Sequence, residues 1–186
     1  MKFEEGIHYP WIRPKGLTNI FWALIPIFGW IAVMGYMVDI ITSVVSGNSK
    51  QGYPVFRGFW TTFVEGLMFL LRLIPITLVL LLALFLVSVL SLGLLSIIFF
   101  FAVTLFYAPM MSINLMVKKK VSATFEFEHI FGLVFKNFGN YIVVLLKTLG
   151  YMFVTGLLSF VLVGIPMRMS INVYYADFYR ENGGNK

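Results

Sequence analysis

The feature that most limits the fold is a run of 45 residues without a charged side chain, from Leu73 to Val117. As one α-helix, rising about 1.5 Å per residue, this run would be roughly 67 Å long. That length is about two crossings of a hydrocarbon core of roughly 30 Å. Backbone amides cannot stay unpaired in lipid, and the run lacks the alternating pattern of barrel strands. The sequence therefore predicts an all-α integral membrane protein.

Composition and charge agree with this fold class. The chain is 60% apolar and 12% charged, whereas soluble domains carry about a quarter charged residues. Its net charge of +6 is concentrated near the ends of the apolar segments, as in Lys118-Lys119-Lys120. This placement favours the positive-inside pattern of membrane proteins over nucleic-acid binding, so we expect no nucleic-acid partner. The absence of cysteine excludes disulfides, thiolate metal sites and cysteine nucleophiles.

The first apolar segment, residues 18–45, has two open interpretations. Pro26 and Gly29 interrupt it, so it is either one kinked span or a short re-entrant half-helix followed by a second helix. The polar arm before it, residues 1–17, has no apolar core typical of a signal peptide, and we expect none to be removed. Because Arg13 and Lys15 prefer the cytoplasmic face, we favour the re-entrant alternative.

Two stretches have the spacing of amphipathic helices. The first spans residues 56–69, and its apolar stripe consists of Phe56, Phe59, Trp60, Phe63 and Leu67. Adding 71 to each of these positions leads to a second stripe, which consists of Phe127, Ile130, Phe131, Val134 and Phe138. Both helices are predicted to lie along the membrane interface. The nearby lysines and arginines place them on the cytoplasmic face.

The matched stripes indicate an internal duplication. Repeat A covers about 18–90, repeat B about 93–163, and a half-copy covers 164–181 before the polar tail 182–186. A tight turn is expected at residues 91–93, between spans that begin near Arg72 and end near Asn114. The motif Pro109-Met110-Met111-Ser112-Ile113-Asn114 recurs nearly unchanged 57 residues later, after Pro166. We therefore predict one membrane domain, a bundle of four to five transmembrane helices with two interfacial helices.

The segments Gly35-Tyr36, Phe63-Val64-Glu65-Gly66-Leu67, Tyr107-Ala108-Pro109 and Phe178-Tyr179-Arg180 resemble the domain of unknown function 4013 family. The resemblance covers about residues 18–181. It implies a small polytopic membrane protein from a prokaryote, in the cytoplasmic membrane, and it implies no activity or catalytic residue. The chain departs from the family after Pro54, where Val55-Phe56-Arg57-Gly58 replaces an acidic stretch that contains tryptophan.

Polar side chains inside apolar segments are candidate functional residues, because they are costly in hydrocarbon. The intramembrane candidates are Asp39, Ser112, Asn114, Arg168, Ser170 and Asn172. One hypothesis is a proton or cation site formed by Asp39, Asn114 and Asn172. The favoured alternative is structural: Asp39 forms an ion pair with Arg72 or Arg168, or lies at the interface. The residues after each proline then satisfy backbone groups that the proline frees.

Five cations are candidates for contact with anionic lipids or another anion: Arg72, Lys147, Lys118, Lys119 and Lys120. The alternative for Arg72 and Lys147 is that their charged ends extend to the interface while their alkyl stems stay in lipid.

The sequence contains no motif of a known enzyme class, and we expect no catalysis. His8 and His129 are the only histidines and belong to no metal or catalytic constellation. No cofactor is implied, although either histidine would be the axial ligand if the chain held a pigment or haem.

These observations predict a non-catalytic accessory or scaffolding subunit of a larger membrane complex. Its partners would be membrane lipids and other membrane subunits. The alternative is a small transporter or channel-like protein with a polar site near Asp39, Asn114 and Asn172. The paired amphipathic helices alone also fit membrane remodelling or lipid transfer.

Overall fold

The computed structural model describes residues 1–90 and 94–183, and these form helices and no strands. The α-helices in these ranges are α1 (Phe3–Ile12), α2 (Phe28–Val45), α3 (Phe59–Leu90), α4 (Leu94–Ala102), α5 (Ala108–Lys118), α6 (Phe127–Lys136), α7 (Phe138–Leu158), α8 (Gly164–Met167) and α9 (Val173–Glu181). Four stretches are long and apolar enough to cross a membrane: Phe28–Val45, Phe59–Leu90, Leu95–Lys118 and Phe138–Leu158. The prediction of an all-helical chain with membrane-spanning segments is confirmed.

Helix α2 is central to the fold, and it crosses α3 at a pair of glycines. A Cβ atom on Gly35 would overlap with the Thr62 carbonyl oxygen, and one on Gly66 would overlap with the Ile31 carbonyl oxygen. The two backbones can approach this closely only because neither position carries a side chain. This contact brings Tyr36 and the neighbouring apolar residues of α2 into the core.

The first apolar segment is a hairpin rather than one kinked helix. A 3₁₀ segment, Pro14–Leu24, precedes a break at residues 25–27, where Ile27 has a φ of 64°. Gly16 lies against Tyr36, whereas the backbone of Trp22 lies against Gly29. The 3₁₀ segment therefore runs antiparallel to the first half of α2, which is the chain path of the re-entrant alternative.

The first predicted amphipathic helix is not separate from the span that follows it. Residues 59–90 form one helix of 32 residues, with Arg72 and Pro75 inside it rather than at its start. Nothing between residues 59 and 74 ends a helix. Membrane helices tolerate an internal proline, and α3 continues through Pro75 although this residue has no N–H to donate to the carbonyl oxygen four positions earlier.

Helices α3 and α4 pack against each other as a long hairpin. The tight turn expected at residues 91–93 lies outside the described residues. In the second arm of the hairpin, α4 leads through a π-helical turn, Val103–Tyr107, into α5. At the base, the Lys119 ammonium lies 3.0 Å from the Glu65 carboxylate, which joins the end of α5 to α3.

The second predicted amphipathic helix corresponds to α6. Unlike residues 56–69, it is separated from its span, because Asn137 (φ −123°, ψ 37°) lies between α6 and α7. The two matched sequence stripes thus have different backbone structures. Position-by-position similarity in apolar residues did not distinguish a continuous helix from an interrupted one.

The C-terminal segment returns along α7. Gly164 packs directly on the Thr155 backbone, and the short helix α8 and a 3₁₀ turn, Arg168–Ser170, lead into α9. Every residue of α9 from Val173 to Tyr179 is buried. The chain turns at Leu162, whose φ is 63°, and Pro166 lies four residues later, inside α8.

Candidate functional site

Tyrosines dominate the polar interior. All nine tyrosines of the chain are buried, and eight of them are among the largest fully buried side chains. A buried phenol group needs a hydrogen-bond partner, because an unpaired hydroxyl in an apolar interior is unfavourable. The partners of these hydroxyls therefore show how the interior is organised.

Most of the hydroxyls donate to backbone carbonyls, and several of these carbonyls lie where a helix is irregular or where there is no helix. Tyr141 donates to the Leu105 carbonyl oxygen in the π-helical turn at 2.5 Å. Tyr151 donates to the Met167 carbonyl oxygen beside the 3₁₀ turn at 2.7 Å, and Tyr36 donates to that of Pro54 at 2.8 Å. Interrupted helices leave carbonyls without intrahelical donors, and the tyrosines supply those donors.

Ser170 joins two of these tyrosines. Its hydroxyl lies 3.1 Å from the Tyr53 hydroxyl and 2.8 Å from the Tyr151 hydroxyl, and it lies 2.9 Å from the Met167 carbonyl oxygen. We call Tyr9, Tyr36, Tyr53, Tyr151 and Ser170 the tyrosine–serine cluster. It connects α1, α2, α7 and the segment that follows Pro166.

Tyr9 differs from the other members of the cluster. Its ring packs edge-on against Tyr53 with the centroids 5.5 Å apart, but its buried hydroxyl has no hydrogen-bond partner among the described residues. Burial raises the pKa of both Tyr9 and Tyr53. Both hydroxyls therefore stay protonated at physiological pH, and neither is suited to act as a base.

A second polar group, the charged bridge, consists of Asp39, Arg57, Glu65 and Lys119. Arg57 donates to both carboxylate oxygens of Asp39, with its Nε 3.0 Å from Oδ2. Arg57 also lies 4.0 Å from Glu65, which pairs with Lys119. The prediction that Asp39 forms an ion pair holds, but its partner is Arg57 and not the expected Arg72 or Arg168. Spacing along the chain could not show that the loop before α3 folds over α2.

A third polar group surrounds Asn114 on α5. Its side-chain amide donates to the Ala123 carbonyl oxygen at 2.8 Å and to Glu126 at 3.0 Å, and its oxygen accepts a bond from Tyr179 at 2.5 Å. Lys118 also lies 2.5 Å from Glu126. These bonds attach α5 to both α9 and the segment before α6.

Two ionisable groups near Asn114 have shifted pKa values. Burial opposes ionisation of Glu126, but hydrogen bonds from Lys118 and Asn114 outweigh it and lower the pKa of the carboxyl group. Burial, followed by the charge of Lys118, lowers the pKa of His129. At neutral pH the carboxylate is therefore charged and the imidazole is neutral.

The three residues of the hypothetical cation site belong to different surroundings. Asp39 is in the charged bridge and Asn114 bonds to Glu126 and Tyr179. Asn172 precedes α9 as its half-buried N-terminal flanking residue. Asp39 and Asn114 therefore bond to different partners, and no hydrogen bond among the described residues joins one to the other.

The other predicted site residues also have defined positions. Ser112 donates to the Pro109 carbonyl oxygen at 2.8 Å, as Ser170 does to that of Met167, each three residues back. Arg168 is exposed and Arg72 is half-buried on α3. Lys147 donates to the Met1 carbonyl oxygen at 2.9 Å. The repeated Pro-Met…Ser-Ile-Asn motif thus places its serine on a backbone carbonyl in both copies.

Neither histidine lies in a ligand set. His8 is exposed on α1, and His129 packs edge-on against Tyr179 with the ring centroids 6.2 Å apart. In residues 1–90 and 94–183, no three His, Asp or Glu side chains are close enough to hold a metal ion.

The tyrosine–serine cluster was missed by reasoning from the sequence. Tyrosines near span ends are usually assigned to the membrane interface, and under that assignment they are not expected to be buried. The available signal was the coincidence of many tyrosines with prolines inside apolar segments, since each interrupted helix needs an extra donor. Chemically, the three polar groups hold helices together.

Comparison with known proteins adds a family. The family model described as "Protein of unknown function (DUF4013)" matches residues 19–164. No curated protein and no solved structure shows significant similarity to the chain.

Proposed function

We propose, from the premise that the chain belongs to the DUF4013 family of proteins of unknown function, that it is a non-catalytic accessory or scaffolding subunit of a larger membrane complex. In this role the tyrosine-rich interior keeps the chain folded. The α3–α4 hairpin makes the contacts with partner subunits.

The observation that carries the proposal is the exposure of this hairpin on several sides. On α3, residues Leu78, Leu81, Leu82, Phe85, Leu86 and Val89 are each at least half exposed, and so are Leu95, Ile97, Ile98, Phe100 and Phe101 on α4. A helix that is apolar all round is typical of a site covered by lipid or by other spans. An apolar surface of this size usually marks an interaction site.

The polar interior supports a structural role over a catalytic one. Ser170, Asn114 and Asp39 all bond to other groups of the chain. Groups that hold helices together in this way are not free to bind a substrate. A separate ion pair, between Lys119 and Glu65, joins the two helices at the base of the hairpin.

The proposal includes the finer features predicted from the sequence. We place the chain in a prokaryotic cytoplasmic membrane, with α6 along its cytoplasmic face beside Lys118-Lys119-Lys120. We also propose that the two halves arose by duplication, and that the continuous α3 and the interrupted α6–α7 are diverged copies. The repeated serine-to-carbonyl bonds after Pro109 and Pro166 support this relation.

Site-specific photo-cross-linking in native membranes tests the partner role. A photoreactive amino acid replaces Phe85 on α3, which is 63% exposed, and the matched control replaces Phe153 on α7, which is 68% exposed. We expect the residue-85 probe to form a discrete protein adduct that mass spectrometry identifies, and the residue-153 probe to form mainly lipid adducts. Lipid adducts alone at both positions would exclude the hairpin as a subunit contact.

The alternative, a small transporter, is weakened by the separation of its proposed site residues. It requires Asp39 to bind and release a cation, but Arg57 donates to both of its carboxylate oxygens. Flux measurements on reconstituted protein, with Asp39→Asn as the matched variant, test this alternative directly. Flux that the variant abolishes would favour transport over scaffolding.

A further inference from the structure

Helix α6 has three distinct faces. Ile130, Leu133 and Val134 are at most 5% exposed and pack into the core. Phe127, Phe131 and Phe135 form a second face, which we call the phenylalanine face, and are between 38% and 58% exposed. The sequence stripe combined residues of both faces, and only the structure separates them.

The phenylalanine face is a continuous apolar surface. The rings of Phe131 and Phe135 stack with centroids 5.8 Å apart, and those of Phe135 and Phe138 with centroids 6.2 Å apart. Phe106 of the π-helical turn packs on Phe135 and Phe138 from the side. The surface therefore extends from α6 onto the first turn of α7.

The third face of α6 is polar and consists of Glu128, Gly132 and Lys136. At 3.6 residues per turn, the phenylalanine face is turned by roughly 100° from both the buried face and the polar face. The phenylalanine face therefore points sideways from the protein, and the polar face points away from the core. This arrangement suits a helix that lies flat in a membrane interface, with one side toward acyl chains and the other toward headgroups.

Cations at both ends of α6 complement an anionic membrane surface. Of the three consecutive lysines, Lys118 pairs with Glu126 and Lys119 pairs with Glu65. Lys120 is exposed, as is Lys136 at the end of α6. Neither belongs to an ion pair within the described ranges. These two ammonium groups are therefore the ones free to bind an external anion.

The position of α6 in the chain also fixes it at the boundary of a membrane. It follows a candidate span that ends at Lys118, and Asn137 alone separates it from the candidate span Phe138–Leu158. A helix joined to two spans in this way stays close to the level at which they leave the hydrocarbon.

We infer that α6, with Lys120 and Lys136, is a docking surface for an anionic lipid bilayer. The phenylalanine face enters the acyl-chain boundary, and the two ammonium groups bind lipid phosphates. The inference rests on the membrane location in the proposed function. It does not depend on a protein partner for the α3–α4 hairpin.

Single-cysteine labelling tests the orientation, because the chain has no cysteine of its own. Phe135→Cys and the control Glu128→Cys, both exposed on α6, are labelled with a polarity-sensitive fluorophore. The proteins are reconstituted in vesicles of phosphatidylcholine and phosphatidylglycerol. We expect lipids with a shallow acyl-chain spin label to quench the residue-135 probe at least twofold more than the residue-128 probe. Equal quenching at the two positions would overturn the inference.

Lipid selectivity tests the role of the two lysines. Quenching of the residue-135 probe is compared between spin-labelled phosphatidylglycerol and spin-labelled phosphatidylcholine. We expect Lys120→Gln with Lys136→Gln to lower the preference for the anionic lipid, by about fivefold per lysine. The control pair, Lys15→Gln with Lys50→Gln, removes the same charge from exposed positions elsewhere and should leave the preference unchanged.

Two further results would contradict the inference. An equal loss of preference in both lysine pairs would mean that net charge, and not α6, selects the lipid. Protection of the residue-135 probe from lipid quenchers in native membranes, with quenching in vesicles, would assign the phenylalanine face to a protein partner. Gel filtration of each variant verifies that it is folded.

Discussion

Helices α2 and α3 are both apolar enough to cross a membrane, yet the protein uses them in different ways. In the most apolar window of α2, 56% of the residues are buried inside the protein, against 6% in that of α3. The α2 window has a mean hydropathy of 1.7 and the α3 window one of 3.0. The more hydrophobic helix is therefore the more exposed one. In a membrane protein, the most hydrophobic helices are those that face lipid or other spans, whereas α2 is buried because its glycines allow close contact with its neighbours.

The largest expected effect comes from truncating a phenylalanine in the buried core around α2, compared with one on the exposed α3. Phe178→Ala on α9 removes a side chain that is 3% exposed and packs edge-on against Tyr141. We expect it to lower the free energy of unfolding by about 3–5 kcal/mol, through lost contacts and the resulting cavity. Phe85→Ala on the hairpin should change it by less than about 0.5 kcal/mol. Denaturant titration in detergent, followed by tryptophan fluorescence, measures both, and similar losses would abolish the distinction between the two regions.

The next effect tests the close approach of α2 and α3. Gly66→Ala places a Cβ against the Ile31 carbonyl oxygen, and we expect a destabilisation of about 1–3 kcal/mol because backbone must move. Gly139→Ala on α7 is the control, since a Cβ there meets no atom within 4 Å. Helix propensity predicts that this control is neutral or stabilising. A tolerated Gly66→Ala would mean that the two helices do not cross at these glycines.

The smallest effect separates hydrogen bonding from packing within the tyrosine–serine cluster. Tyr151→Phe removes the hydrogen bonds of its hydroxyl to the Met167 carbonyl oxygen and to Ser170, and we expect a loss of about 1 kcal/mol from these two bonds. Tyr9→Phe removes a hydroxyl without a partner among the described residues, so its stability should stay equal or rise slightly. Thermal unfolding of the two variants side by side measures the difference. If Tyr9→Phe costs as much as Tyr151→Phe, the hydroxyl of Tyr9 has a partner in solution.

Much of the fold was predictable because its cause is local. The uncharged run Leu73–Val117 predicts helices of membrane-spanning length, and two of the four candidate spans lie largely within it. Pro26 predicts a break in the first apolar segment, and the break is found at residues 25–27. These predictions depend on residues a few positions apart, so they need no knowledge of the tertiary contacts.

The candidate site was less predictable because its contacts join distant parts of the chain. Arg57 lies 18 positions from Asp39, and Tyr179 lies 65 positions from Asn114. Several donors could have reached Asp39, and Arg72 and Arg168 were equally reasonable from spacing. The predicted boundary before Arg72 was wrong for a related reason, since an amphipathic stripe shows which face is apolar and does not show where a helix ends.

The sequence alone determined that this chain is a helical membrane protein of the DUF4013 family, because hydropathy and motif order are properties of the chain itself. The tertiary structure alone decided which helix is central, which tyrosines bond to interrupted helices and which of three consecutive lysines stays free. These outcomes depend on which groups meet across the fold. A buried hydroxyl or ammonium group takes the nearest partner in space, and distance along the chain does not specify that partner.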